Sequence, residues 1–291
     1  IRPDGNIYFT DPLYKRPFLT LVPKLPGALR VPLFRILEPL ESHRRRLAAA
    51  VALQLLGSHG EAAVPVLEKA LREDDLQLSW QAGLALSHLR KPGISALIAA
   101  LDPDKPLLFS RVCDLLKTVR SDAAEAVPIL IGALAAQSPT LPPQAAKTLA
   151  AIGAPAVPGL IRALDHGEAR VRQRAAQALG GIGPTARPAI SSLNERLRDG
   201  DASVRTAAAE ALGKIRPWDP QVVVVLIPLL KDSNDDVRVA AVKALAASPS
   251  SAAPAKVALS ASLQDENADV RQNAAALLEE IRKAETPAGN S

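Results

Sequence analysis

Methionine is absent from this 291-residue chain, cysteine occurs once, and aromatic residues make up only 3%. Each scarcity removes a class of protein. A single cysteine, Cys113, excludes an internal disulfide and any multi-cysteine metal site. Few aromatics argue against modules that bind nucleic acid by stacking bases on side chains. Pro, Gly or charge breaks every apolar run before it reaches the roughly 18–20 residues needed to cross a bilayer, and no signal peptide is visible. The chain starts at Ile1 and has no initiator Met. We therefore expect a fragment or a processed or trimmed form, with anything upstream, a membrane anchor included, outside the sequence.

Hydrophobic residues make up 48%. With so few aromatics, the core must be built from Ala, Leu, Val and Ile, which suits thin helical layers stacked closely. The net charge of +5 is unevenly spread: residues 1–60 hold nine Lys/Arg against four Asp/Glu, and residues 61–291 hold 26 of each. A nucleic-acid-binding solenoid would carry its basic excess along the whole groove, so that function is disfavoured.

One segment recurs along the chain. VPGLIRALDHGEARVRQRAAQALGGIG, from Val157, is echoed from Val64, Ile94, Val127, Ile190, Val223 and Lys256, with a degenerate first copy from Val31. Arg45, Leu78, Leu108, Leu141, Val171, Val204, Val237 and Val270 are equivalent, at spacings of 33, 30, 33, 30, 33, 33 and 33 residues. The short spacings arise in the connections near Lys91-Pro92-Gly93 and Ala154-Pro155. Self-similarity at this period marks a repeat architecture.

Each unit reads as two helices. The first opens on Val-Pro, with Pro65, Pro128 and Pro158 in a first turn that tolerates a missing N–H. Ser42, Asp75, Ser138, Asp201, Asn234 and Asn267 then mark the start of the second helix as N-caps. Pro106 and Pro139 are placed at its first site, while Lys105 and Glu168 break the capping pattern. The second helix presents one apolar stripe, Val171, Ala175, Leu179 and Ile182, and Gly57, Gly153 and Gly183 end helices. No unit can bury its apolar face alone, so the copies must stack. The expected fold is all-α, an α-solenoid of about eight stacked antiparallel helix pairs over residues 31–283. Residues 1–30 form a non-repeat lead-in or cap, and 284–291 a frayed tail.

The run Asp-x-Ala-x-Val-Arg-x-x-Ala-Ala-x-Ala-Leu-Gly-x-Ile, best matched at Asp201 to Ile215 and Ala169 to Ile182, resembles the bacterial HEAT repeat. The group similar to phycobilin-lyase accessory subunits is included in that resemblance. It implies a ladder between stacked repeats, made by a turn Asp and the Arg after the Val. Arg46, Arg172, Arg205, Arg238 and Arg271 match the Arg, and Asp165, Asp232 and Asp265 lie near the Asp position. Ser79, Phe109 and Pro142 replace the Arg, so the ladder is expected to break mid-array.

Catalytic or metal-binding signatures are not evident. Deoxyhypusine hydroxylase, which resembles this architecture, needs paired His-Glu dipeptides for two irons. None of His43, His59, His88 and His166 precedes Glu. Cys113 lies in an apolar helix stripe and reads as a small buried hydrophobe. No phosphate loop or nucleophile elbow is present. Within the run Arg170, Arg172 and Arg174, one residue reads as a ladder arginine and two as solvated.

These readings give a binding scaffold with no catalysis of its own, no cofactor and no metal, which engages a protein partner along a concave surface lined by the second helices. Trp80 and Phe109 stand where polar residues are usual and are the expected anchors. Arg44, Arg45 and Arg46 are candidates for an anionic surface, lipid or protein. The alternatives are an accessory subunit of a lyase-type enzyme, a membrane-tethered scaffold, and a nucleic-acid-binding solenoid. The compartment is left open between cytoplasmic and membrane-tethered.

Overall fold

The structure, a computed structural model, describes residues 63–216 and 219–285. These residues form helix pairs connected by short turns, with no strand among them. The pairs are α1 (Val64–Leu71) with α2 (Leu76–His88), α3 (Arg90–Ala99) with α4 (Pro106–Val119), and α5 (Val127–Ala133) with α6 (Leu141–Ile152). They continue with α7 (Val157–Ala163) and α8 (Ala169–Ile182), α9 (Ile190–Arg196) and α10 (Ala202–Ile215), α11 (Pro220–Leu226) and α12 (Asp235–Ala246), then α13 (Lys256–Ser262) and α14 (Ala268–Glu285). Odd numbers are first helices and even numbers second helices.

Local chemistry sets the boundaries. Pro65, Pro128 and Pro158 sit in the first turns of α1, α5 and α7, where no N–H partner is lost. Asp75 accepts from the Gln77 and Leu78 N–H groups, Asp201 from Ser203, Asn234 from Val237, and Asn267 from Asp269 and Val270. Pro139 does not open α6. That helix begins at Leu141, and Ser138 instead caps the turn before it, bonding the Thr140 and Leu141 N–H groups. Lys105 and Glu168 give no side-chain cap, yet α4 and α8 start directly after them. Tertiary packing of the apolar face holds these two starts.

The 30-residue spacings are explained by the connectors. A seven-residue 3-10 segment links α4 to α5 (Arg120–Ala126) and α8 to α9 (Gly183–Ala189). Only Gly153 and Ala154–Ala156 link α6 to α7, and α3 follows α2 after Leu89 alone. At one equivalent position past the second helix the backbone turns to positive φ: 53° at Arg90, 51° at Arg120, 81° at Gly153 and 72° at Gly183. Glycine adopts this conformation freely and arginine does not.

Even-numbered helices pack against one another along their length, α8 on α10 and α10 on α12 most extensively. Small residues make this close approach possible. A Cβ added at Gly180 would lie 3.0 Å from the Ala211 Cα, and one at Gly213 would lie 2.8 Å from the Ala244 Cα. Ala82, Ala145, Ala175, Ala208, Ala241 and Ala274, all at one register, are fully buried, and Val112 takes that register in α4. The core is one continuous cluster running through every described pair, as stacked repeats require.

A candidate partner-binding face

Among the described residues, three arginines bridge successive layers in the same way. The Arg172 Nε and Nη2 donate to Asp199 at 2.8 and 2.7 Å, Arg205 to Asp232 at 2.8 Å twice, and Arg238 to Asp265 at 2.8 and 2.9 Å. Each pair spans 27 residues, from one second helix to the turn of the next repeat. The remaining Nη1 donates to carbonyls of the arginine's own turn, such as His166 and Gly167 for Arg172. Each Asp also accepts a backbone N–H two residues on, at 2.9–3.0 Å. One guanidinium thus fixes two turns at once, and its planar fork suits the carboxylate.

These bonds displace the carboxyl equilibria. Burial alone would raise Asp199 and Asp232, but the bonds from Arg172 and Arg205 and from the turn N–H groups outweigh it and hold both below the usual carboxylate range. The bond from Arg238 likewise holds Asp265 down.

The ladder stops where both of its members are missing. Ser79, Phe109 and Pro142 take the arginine position, and Pro103, Ala136 and His166 take the matching acid position in the next repeat. Other contacts join these layers. The Ser79 hydroxyl donates to the Leu71 carbonyl and accepts from Arg111 of the next repeat. Arg174 reaches back to the Leu134 carbonyl. Arg174 is therefore half-buried and engaged, contrary to the solvated reading. Asp165 is no rung either: it is exposed and lies 3.6 Å from Arg196. The acid position of that turn is His166, and the rung acids Asp199, Asp232 and Asp265 follow at 33-residue spacing.

The even-numbered helices also form an open groove. Between α8, α10 and α12 it has a volume of about 440 Å³, with Gln173, Gln177, Ser203, Thr206, Glu210 and Asp236 among its lining residues. Its lining recurs at the second and sixth positions after the reference Val/Leu of one helix and at the residue just before the reference in the next. In α2 and α4 these positions hold Trp80, Leu84 and Leu107. Trp80 is 37% exposed and Leu107 79%, with Leu76 nearby in sequence at 66%. The groove face thus has an apolar end and a polar end.

Sequence profiles of HEAT repeats match residues 94–180, 157–246 and 223–288. The chain belongs to the HEAT-repeat family. No curated protein matches it in sequence. Among solved structures, the HEAT array is similar to Kap121p, in a mutant form, at a TM-score of 0.62 and 14% identity, covering 91% of this chain and 34% of that one. It is also similar to Kap95p, whose binding induces the switch loops of RanGDP to adopt the GTP-bound conformation, at 0.60 and 15%, covering 91% and 42%. A designed armadillo repeat protein aligns at 0.43 and 21%, covering 75% and 99%. At these identities the likeness is one of fold. The alignments cover 34% of the Kap121p chain and 42% of the Kap95p chain, less than half of each.

Among the expected anchors, Trp80 stands on the open face and Phe109 does not. Phe109 is fully buried, because at the ladder position an aromatic ring has no charged end to keep at the surface and folds into the layer interface. Leu107, two residues earlier, is the exposed apolar residue of α4 that the sequence reading missed. Arg44, Arg45 and Arg46 lie outside the described residues. Arg271 donates its Nη1 to the Asp265 and Glu266 carbonyls, at 2.6 and 2.8 Å.

Cys113 is fully buried, and burial pushes its thiol up to about 11, which suppresses the nucleophilic thiolate. Among the described residues no three His, Cys, Asp or Glu side chains converge as a metal site, and no helix is long and apolar enough to cross a membrane.

Proposed function

We propose that this HEAT array is a scaffold that binds a protein partner along the surface lined by its even-numbered helices, with no catalysis of its own. The observation carrying this reading is the open face itself, where Trp80 and Leu107 present apolar side chains to solvent on the same surface as the polar groove. Exposed large apolar side chains on a concave, otherwise polar surface are characteristic of interfaces. The close approach at Gly180 and Gly213 supports placing these helices on the inner side of the curve.

Photo-cross-linking in source extract tests the reading. A benzophenone side chain at Thr206 or Gln177 should capture a defined protein. The same group at Val224 or Val257, exposed on first helices, should not. Equal capture from both faces, or capture of nucleic acid, would contradict the proposal.

A further inference from the structure

We propose that this face takes one extended segment of a partner polypeptide whose side chains run hydrophobic, acidic, basic, at intervals of about five or six residues. The inference rests on the protein-binding reading above and adds the chemistry of the segment.

The argument follows the clefts between successive even-numbered helices. The groove lining gives the register: it draws Gln173 and Gln177 from α8, Ser203, Thr206 and Glu210 from α10, and Asp236 and Lys243 from α12, which are the second and sixth positions after the reference residue and the one just before it. Applying that register to the other layers gives each cleft a definite character. Trp80 and Leu84 stand opposite Leu107 in the α2/α4 cleft, which is apolar. Lys147 stands opposite Arg170 in the α6/α8 cleft. Both cations are exposed and unpaired among the described residues. Glu210 and Asp236 outnumber Lys243 in the lining at the α10/α12 cleft, and all three are exposed with no ion pair among the described residues. The clefts between them are neutral or internally balanced: Asp114 is bridged to Lys117 at 2.6 Å, and Gln173, Gln177 and Ser203 carry no charge.

Like charges left facing each other across an open cleft are a standing electrostatic cost that an opposite charge on a ligand removes. The basic cleft therefore fits a carboxylate and the acidic cleft a Lys or Arg, while the apolar cleft fits an aliphatic or aromatic side chain. Each specialised cleft is two helix spacings from the next, roughly 16–20 Å at 8–10 Å per packed helix. An extended chain covers that distance in about five or six residues at ~3.3–3.6 Å each.

The test is a randomised peptide library of about 16 residues, long enough to span the three clefts, displayed on phage and selected against the full chain. Selected peptides should carry an apolar residue, then Asp/Glu, then Lys/Arg at the stated intervals, in one direction or the other. Trp80→Ala with Leu107→Ser should weaken them roughly tenfold or more, as loss of a buried anchor does. Lys147→Glu with Arg170→Glu should weaken them roughly fivefold and be rescued when the peptide's acid is changed to Lys. If binding depends on Trp80 but ignores the charge reversal, the ordered pattern is wrong and the protein-binding face stands. If selected peptides ignore both sets of substitutions, both readings fall. Retention of a single-stranded oligonucleotide that the charge reversal abolishes would also overturn the proposal.

Discussion

Asp232→Asn isolates one rung of the ladder. The Asp232 carboxylate accepts two bonds from Arg205 at 2.8 Å and one from the Asn234 N–H at 2.9 Å, and both side chains of the ion pair are 14% exposed. An exposed ion pair contributes about 0–1 kcal/mol, and breaking a buried one costs about 3–5 kcal/mol. This pair lies between those limits, so the substitution should destabilise the array by about 2–3 kcal/mol in urea unfolding followed by circular dichroism. Asp165→Asn is the control: its single contact is 3.6 Å long and its side chain 67% exposed, so a loss below about 0.5 kcal/mol is expected. Because each repeat touches only its neighbours, hydrogen exchange should rise mainly around the 205–235 junction. The sign with pH follows from the depressed Asp232 pKa. The rung's stabilisation is present above the unfolded carboxylate value, near about 3.9, and is lost as pH falls through the lower folded value. The gap between native and Asp232→Asn proteins should therefore be constant near neutrality and close in acid. If Asp232→Asn cost no more than Asp165→Asn, or the gap did not depend on pH, the ladder would not be what couples these layers.

Further outcomes follow from individual positions. Arg120→Gly should raise the unfolding midpoint, since a non-glycine residue at φ 51° stores about 1 kcal/mol or more; an unchanged or lower midpoint would refute the strain. Phe109→Ala should cost about 3–5 kcal/mol as a core deletion, whereas Trp80→Ala should change stability little, a contrast read in the same denaturation assay. Gly213→Ala should destabilise by about 1–3 kcal/mol through overpacking, because its Cβ would lie 2.8 Å from the Ala244 Cα. The Cys113 thiol should resist alkylation at pH 8 until urea unfolds the chain, and rapid labelling of the folded protein would show that it is not enclosed.

The repeat register was legible because burial leaves a periodic trace. Leu78, Leu108, Leu141, Val171, Val204, Val237 and Val270, aligned by pattern, are all buried. The ladder arginines were legible through the family resemblance, which implies a rung at the residue directly after that position. The acid Asp199 was within reach too, 33 residues before Asp232, but the turn Asp165-His166-Gly167-Glu168 places an Asp one residue early and draws the alignment off by one. Phe109 shows a different limit. At the ladder position an arginine lays its stem along the layer and keeps its charge at the edge, so sequence alone suggested a surface site. A ring placed there has no polar end and turns inward. The groove's apolar end was only half legible: Trp80 stood out as a rare residue, whereas Leu107 looked like one more leucine in a leucine-rich helix until the helix register fixed its direction.

The most direct test of the binding face is the affinity of a partner, recovered with the native chain as bait, for the Trp80→Ala/Leu107→Ser variant against a Val224→Ser/Val257→Ser variant, each checked for unaltered helicity. A loss of roughly tenfold or more for the first pair, with the second pair binding like the native chain, is the expected result. Loss confined to the first-helix pair would place the partner on the opposite surface and contradict the account.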